Sequence, residues 1–125
     1  MPEVAIIGCG FIGTQVWAAL GAEVRLCTRT SSGDGFCAFD LARDRIGDVI
    51  ELTSLTHAVV LSGIINPDIC ARDPERAEAV NVKGMLRLLD DLIALGIVPV
   101  FASTESVFEG KKGNYAETDP PAPLM

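Results

Sequence analysis

Val4-Ala5-Ile6-Ile7-Gly8-Cys9-Gly10-Phe11-Ile12-Gly13 is the stretch that decides the fold of this chain. A short β-branched run ended by glycines suits a strand buried on both faces of a parallel sheet. The glycines fall in the pattern G-x-G-x-x-G at the first strand-to-helix turn. Gly8 permits the tight turn, Gly10 lets a diphosphate approach the backbone, and Gly13 lets the next helix pack closely on the sheet. In that helix Phe11, Ile12, Val16 and Leu20 recur at three- and four-residue steps, and Gly21 stands where a left-handed C-terminal cap belongs. The helix start offers amides and partial positive charge to an anion, so Phe11 and Ile12 join the three glycines as candidate cofactor contacts.

Outward from this turn the pattern repeats. Val24-Arg25-Leu26-Cys27 reads as a second strand and Phe36-Cys37-Ala38-Phe39 as a third. Leu41, Ile46, Val49 and Ile50 predict a helix from Leu41 to Leu52, with Asp40 at its start as a cap. Ala58-Val59-Val60-Leu61 is the fourth strand, running into Gly63 and the turn-prone Asn66-Pro67-Asp68. Asp73-Pro74-Glu75 opens the longest helix, because Asp caps free amides and Pro fits the first helical position. Val82, Met85, Leu89, Leu92 and Ile93 are its expected buried stripe, and Gly96 ends it. Val98-Pro99-Val100-Phe101-Ala102 is the fifth strand, with Pro99 placed at its entry because proline cannot donate to the ladder.

Strands alternating with helices, joined by right-handed crossovers, predict an α/β doubly wound parallel sheet, the Rossmann fold, as a single domain over 1–104. The remaining 105–125 carries Gly110, Gly113, Pro120, Pro121 and Pro123 with few apolar anchors, and is expected to be surface loop or disorder, a tail leading toward a catalytic helix and a C-terminal substrate-binding part that these residues lack.

A chain of 125 residues is one domain's worth. Hydrophobic residues at 49% and charged residues at 22% are those of a soluble globule, and no apolar run reaches membrane length. Met1-Pro2-Glu3 precedes the first apolar run without a basic leader, so the expected location is cytoplasmic. A net charge of −7 argues against a general nucleic-acid binder, yet a phosphate-bearing ligand gripped by backbone amides stays compatible with it. Cys9, Cys27, Cys37 and Cys70 are widely spaced without a C-x-x-C pair, which predicts free thiols over disulfides or zinc. His57 is the single histidine, so no metal is expected.

NAD-preferring sites usually place an acidic side chain about twenty residues after the first glycine. Here stand Thr28, Arg29 and Thr30, with no carboxylate for a 2′-hydroxyl. A guanidinium able to grip a 2′-phosphate favours NADP over NAD, while Arg29 equally reads as a solvated charge at a strand end. Asp40-Leu41 places a carboxylate either against an adenine amino group or on the start of a helix. Ser62 and Gly63, at the end of the fourth strand, are further candidate contacts, and a glycine there either lets a cofactor pass close or simply turns the chain.

Two further blocks carry a resemblance. Asp73-Pro74-Glu75 through Ala79-Val80-Asn81-Val82-Lys83-Gly84, and Ser103-Thr104 through Val107-Phe108-Glu109-Gly110 to Tyr115, Asp119, Pro120 and Pro121, are much more specific than the glycine turn. On these residues the chain resembles the extended short-chain dehydrogenase/reductases, the NAD-dependent epimerase/dehydratase family, within the dTDP-4-dehydrorhamnose reductase branch. The resemblance implies that Thr104 is the active-site hydroxyl and that Asn81 supports a catalytic lysine through water. A hydroxyl at the carboxyl end of the fifth strand also sits where open α/β sheets bind ligands, and it can hydrogen-bond a carbonyl oxygen as hydride arrives. The bland alternatives are a strand-end Ser/Thr turn and a polar residue on a helix surface.

The family's acid is a tyrosine assisted by a lysine four residues later, one helical turn away. No such pair occurs in the chain, where the residue four after Tyr115 is Asp119. Tyr115 is therefore expected to pack its loop or face the substrate. Leu61-Ser62-Gly63-Ile64 stands where the family has an Asn-Ala-Ala run, Glu105-Ser106 replaces Asp-Tyr, and the glycine turn has the compact spacing. The implied function is the NAD(P)-binding portion of an oxidoreductase or epimerase acting on a keto group of a nucleotide-linked sugar. Its alternatives are a non-catalytic NADP-binding regulatory subunit and a flavin or S-adenosylmethionine binder on the same sheet. The helix beginning at Pro74 is a candidate homodimer face.

Overall fold

The computed structural model of the chain describes residues 3–21, 24–27, 36–49 and 54–124. Its strands are β1 (Glu3–Ile7), β2 (Val24–Cys27), β3 (Phe36–Ala38), β4 (Leu55–Val60) and β5 (Val98–Phe101). They form one sheet in the order β3-β2-β1-β4-β5, and every neighbouring pair is parallel. Central β1 aligns Ile7 with Leu26 on one side and with Val60 on the other. The C-terminal ends of β1, β4 and β5 thereby open on the same edge. The helices are α1 (Phe11–Leu20), α2 (Ile46–Val49), α3 (Pro67–Arg72), α4 (Pro74–Glu78) and α5 (Met85–Ala94), with a π-helical segment, Ala79–Gly84, joining the last two.

Alternation along β1 sends its side chains to two layers. Ala5 and Ile7 enter a core with Phe39, Leu41, Ile46, Ala58, Val60, Met85, Leu88 and Leu92. Ile6, also fully buried, lies beneath α1, where a Cβ built on Gly13 would stand 3.6 Å from its Cγ2. Period-two burial facing helices on both sides is the physical content of a doubly wound sheet.

Several expectations need correction. The stripe of the long helix is Met85, Leu88 and Leu92, whereas Val82 and Ile93 are 49% and 62% exposed. The π segment takes more than 3.6 residues for its turn, so the face before it is rotated out of phase with the face after it. Phe11, Ile12 and Leu20 are likewise exposed, and Gly13 is the buried residue of α1. This helix sits on the sheet through its lack of a side chain at that point. Asn66-Pro67-Asp68 starts a helix, α3, because the Asn66 side chain accepts from the amides of Asp68 and Ile69 and Pro67 occupies the first turn. Asp40 caps a turn, accepting from the Ala42 amide at 2.9 Å, and the helix begins only at Ile46. Pro99 pairs with Ala58 inside β5, tolerated because β5 is an edge strand. Cys9 is disulfide-bonded, while Cys37 and Cys70 are half-buried free thiols.

The segment after β5 is an organised loop. Phe108 and Tyr115 stack with centroids 4.6 Å apart and planes 8° from parallel. Tyr115 Oη accepts from the Lys112 amide at 3.0 Å, so this tyrosine packs its loop. The Lys112 ammonium reaches both oxygens of Asp119 at 2.8 and 2.9 Å, and the Ala122 amide donates to Val107 O at 2.8 Å. Positive φ at Gly110 and Gly113 makes the two bends that close the loop. Lys112, helped by the Ala116 amide, holds the Asp119 carboxyl below its ordinary 3.8. A carboxyl whose pKa is lowered by folding contributes above its unfolded value and loses that contribution as pH falls through the folded one. The loop is thus expected to hold at neutral pH and to open in acid below about pH 4, with the Phe108–Tyr115 ring shifts in NMR as the readout. Lys112→Ala should open the loop near neutral pH, and an acid transition unchanged by it would refute the assignment.

Candidate functional site

A cleft of about 740 Å³ opens at the C-terminal ends of β1, β4 and β5. The glycine turn contributes Gly8, Gly10, Phe11, Ile12 and Gly13, the loop after β4 contributes Ser62, Gly63, Ile64 and Ile65, and the π segment contributes Asn81. From the β5 side come Ser103, Thr104 and Ser106.

The glycines divide the labour as their positions predict. Gly8 has φ of +114°, and a Cβ there would lie 2.7 Å from Leu61 C and 2.8 Å from Ser62 N. A Cβ on Gly13 would lie 1.8 Å from Gly8 O. Around Gly10 no atom stands within 4 Å of the equivalent point, which leaves open space beside the start of α1. Gly10 has no side chain to cap that helix start, so its amides are presented to the cleft.

Asn81 closes the back wall. Its Oδ1 accepts from the Ile64 amide at 2.8 Å and its Nδ2 donates to Ile64 O at 2.9 Å. The side-chain amide is thereby committed to the loop after β4, which makes Asn81 a positioning residue. Its Oδ1 would stand 3.2 Å from a Cβ on Gly63, whose φ of +154° suits only glycine. Cys70 Sγ also donates to Ile64 O, at 3.5 Å. A second cavity of about 710 Å³ lies behind this clamp and shares Ile65 and Asn81 with the cleft.

Thr104 both caps a turn and lines the cleft. Its Oγ1 accepts from the Ser106 amide at 3.2 Å, opening the 3₁₀ turn Glu105–Val107, and lies 3.4 Å from Glu105 Oε2. Ser62 Oγ is buried without a hydrogen-bond partner.

Gly8, Gly10, Phe11, Ile12, Gly13, Ser62, Gly63, Asn81 and Thr104, all singled out from the sequence, therefore meet in one cleft. Asp40 and Leu41 do not line it: the Asp40 carboxylate serves its own turn and Leu41 is 2% exposed in the core. Arg29 lies outside the described residues. Sequence reasoning missed Met85, Phe101, Ile65 and Ser106 in the lining. Two of these had a signal: Met85 stands four residues after Asn81, and Ser106 two residues after Thr104.

Residues 9–125 match the family described as RmlD substrate binding domain. The chain belongs to that family. Among solved structures similar to this RmlD-family chain is a hypothetical dTDP-4-dehydrorhamnose reductase from Sulfolobus tokodaii, with TM-score 0.84 and 25% identity. The match covers 98% of this chain and 46% of that one. A short-chain dehydrogenase/reductase superfamily protein from Agrobacterium tumefaciens, solved with bound NAD, matches with TM-score 0.79 and 27% identity over 98% of this chain and 40% of that one. A curated relative, methionine adenosyltransferase 2 subunit beta from Pongo abelii, is 34% identical over 58 residues, 46% of this chain and 17% of that protein. The chain thus spans less than half the length of each.

Proposed function

We propose that this chain forms the nicotinamide-dinucleotide-binding portion of an oxidoreductase or epimerase acting on a keto group of a nucleotide-linked sugar. One observation carries the reading: a single cleft joins the glycine turn to the Thr104 hydroxyl. The fit to a dinucleotide rests on the open space at Gly10 and the close approach enforced by Gly8 and Gly13. The NAD bound to the Agrobacterium protein and the sugar reductase description of the Sulfolobus protein support the same reading.

When bound, the nicotinamide supplies or accepts hydride. The amides at the start of α1 would hold the diphosphate, which needs no basic side chain and so tolerates the acidic net charge. Asn81 fixes the loop after β4 through Ile64 and so sets the width of the cleft. The Thr104 hydroxyl turns from Glu105 to donate to the substrate carbonyl oxygen, stabilising charge that builds there. Arg29 selects NADP over NAD. A cytoplasmic setting is part of the same proposal. Among the described residues no helix is long and apolar enough to cross a membrane. The helix beginning at Pro74 carries a homodimer face, for which Val82, Leu86 and Ile93, each about half exposed or more, supply apolar surface.

Full acid catalysis needs the Tyr-x-x-x-Lys pair that these residues do not contain. The polypeptide of residues 1–125 is therefore expected to show no oxidation of NADPH above background with a keto sugar nucleotide, followed by absorbance. Turnover above background would overturn the assignment of proton donation to that pair.

A second reading, a non-catalytic NADP-binding regulatory subunit, is favoured by the 34% identity to a protein named as a subunit. Under it the dinucleotide binds, and a keto sugar nucleotide leaves the dinucleotide's Kd unchanged. Under the first reading hydride passes directly between the two ligands, so they lie in contact and are expected to alter each other's affinity, each by the same factor.

A further inference from the structure

Cys9 stands between Gly8 and Gly10 in the glycine turn, and it is disulfide-bonded, whereas Cys37 and Cys70 are free thiols. Its two neighbours line the cleft and Cys9 is not among the lining residues, so the bond tethers the turn from outside the space a ligand would fill. That position matters because packing fastens the following helix weakly. Gly13 is the buried residue of α1, Val16 and Trp17 are half-buried, and Phe11, Ile12 and Leu20 are exposed. A helix that buries no apolar side chain fully draws little hydrophobic stabilisation from its sheet. Elements of that kind open locally before the rest of a fold does. A covalent tether at the turn removes open arrangements of the chain and so opposes that opening.

We propose that the disulfide at Cys9 is a redox-sensitive anchor of the glycine turn: formed, it keeps the turn and the start of α1 in the arrangement that binds a dinucleotide, and reduced, it lets them open and binding weakens. The inference rests on the dinucleotide reading above and adds a control to it. The chemistry is thiol–disulfide exchange with a dithiol reductant. One thiolate of the reductant attacks a sulfur of the bond and forms a mixed disulfide, which the reductant's second thiol then resolves. Two electrons and two protons pass to the chain, which gains two thiols, while the dithiol leaves as a disulfide. Cys9 is half-buried, which leaves an approach for the attacking thiolate. In the cytoplasmic setting proposed above, a disulfide is usually transient, catalytic or redox-sensing, and a bond within a ligand-binding turn fits the last of these. A ligand's apparent affinity scales with the fraction of protein in the competent arrangement, and opening the turn lowers that fraction.

The test compares the air-oxidised chain with the same chain in excess dithiothreitol, by calorimetric titration with NADPH and ADP-ribose and by amide hydrogen exchange without ligand. Thiol titration in denaturant fixes the state, since Cys37 and Cys70 alone should react before reduction and all four cysteines after it. Expected on reduction is a loss of affinity of about 5- to 20-fold for both ligands. Exchange should quicken at the amides of residues 10–20 and stay unchanged in α5. Cys9→Ser should bind as the reduced wild-type chain does, with or without dithiothreitol; if that variant fails to fold, the two states of the wild-type chain decide alone. Equal affinities in the two states, tighter binding on reduction, or four reactive thiols after air oxidation would overturn the proposal. So would exchange that quickens throughout α5 as well, which marks a merely structural bond. If the wild-type chain binds neither ligand in either state, the dinucleotide reading fails, and exchange at residues 10–20 still decides the anchor: faster on reduction upholds it, unchanged overturns it.

Discussion

Gly13→Ala is expected to abolish dinucleotide binding and to destabilise the fold by about 3 kcal/mol or more. The added Cβ would stand 1.8 Å from Gly8 O and 2.9 Å from Gly8 C. Both are backbone atoms of the turn, so no rotamer change relieves the overlap. Either α1 lifts from the sheet, uncovering Ile6, or the Gly8 peptide rotates and its carbonyl and amide leave the cleft. Each outcome removes the surface proposed to hold the diphosphate. Gly10→Ala is the internal control, because nothing lies within 4 Å of its Cβ and its φ of −74° suits any residue. That variant should melt within about 0.5 kcal/mol of wild type while binding the dinucleotide less tightly, its methyl group entering the space proposed for phosphate. Urea denaturation and calorimetry on both variants separate the roles. Equal stability of the Gly13 and Gly10 variants would contradict the packing argument.

Gly84→Ala is expected to destabilise the protein by about 2–4 kcal/mol, against the sign of helix propensity, which favours alanine by about 1 kcal/mol. The reason is a close passage between layers. A Cβ on Gly84 would meet Leu41 O at 2.2 Å and Ala79 O at 2.9 Å. Leu41 O also accepts from Arg87 Nη2 at 2.9 Å, and Arg45 pairs with Asp91, so the turn after β3 is fastened to the helix at two positions beyond the contact. Pushing the turn outward would withdraw Leu41 from the core and strain those bonds. Because Gly84 ends the π segment that carries Asn81, the change should also loosen the Asn81–Ile64 clamp. Gly47→Ala in α2 meets nothing within 4 Å and is expected to stabilise by up to about 1 kcal/mol. Denaturant midpoints with unchanged m-values would report both effects, and a Gly84 variant more stable than wild type would refute the close-passage account.

The strands were legible because runs such as Val4-Ala5-Ile6-Ile7 and Ala58-Val59-Val60 lack the polar alternation that a solvent-facing sheet requires, which left a sheet covered on both faces as their home. Helix ends were legible where one residue type answers one backbone demand, as at Gly21 and Gly96, both left-handed with φ of 60° and 73°. The phase of the long helix before Met85 was not, because a π turn is a tertiary compromise with no periodic signature, and it left Val82 half exposed while Met85, Leu88 and Leu92 are buried. The order of the loop after β5 was hidden for a related reason. Its glycines and prolines suggest a flexible tail, but Phe108, Lys112, Tyr115 and Asp119 organise it through contacts that spacing does not encode. In the site, residues with a stereochemical reason to be there, the glycines above all, were found from sequence. Partners set by folding, such as Ile64 for Asn81 seventeen positions away, were not.

Isothermal titration of the folded, monodisperse chain with NADPH and with NADH tests the central claim most directly. The account predicts saturable heat with at least one coenzyme, tighter for NADPH, and its loss in Gly13→Ala. No heat with either coenzyme, or equal heat from wild type and the Gly13 variant, would contradict it.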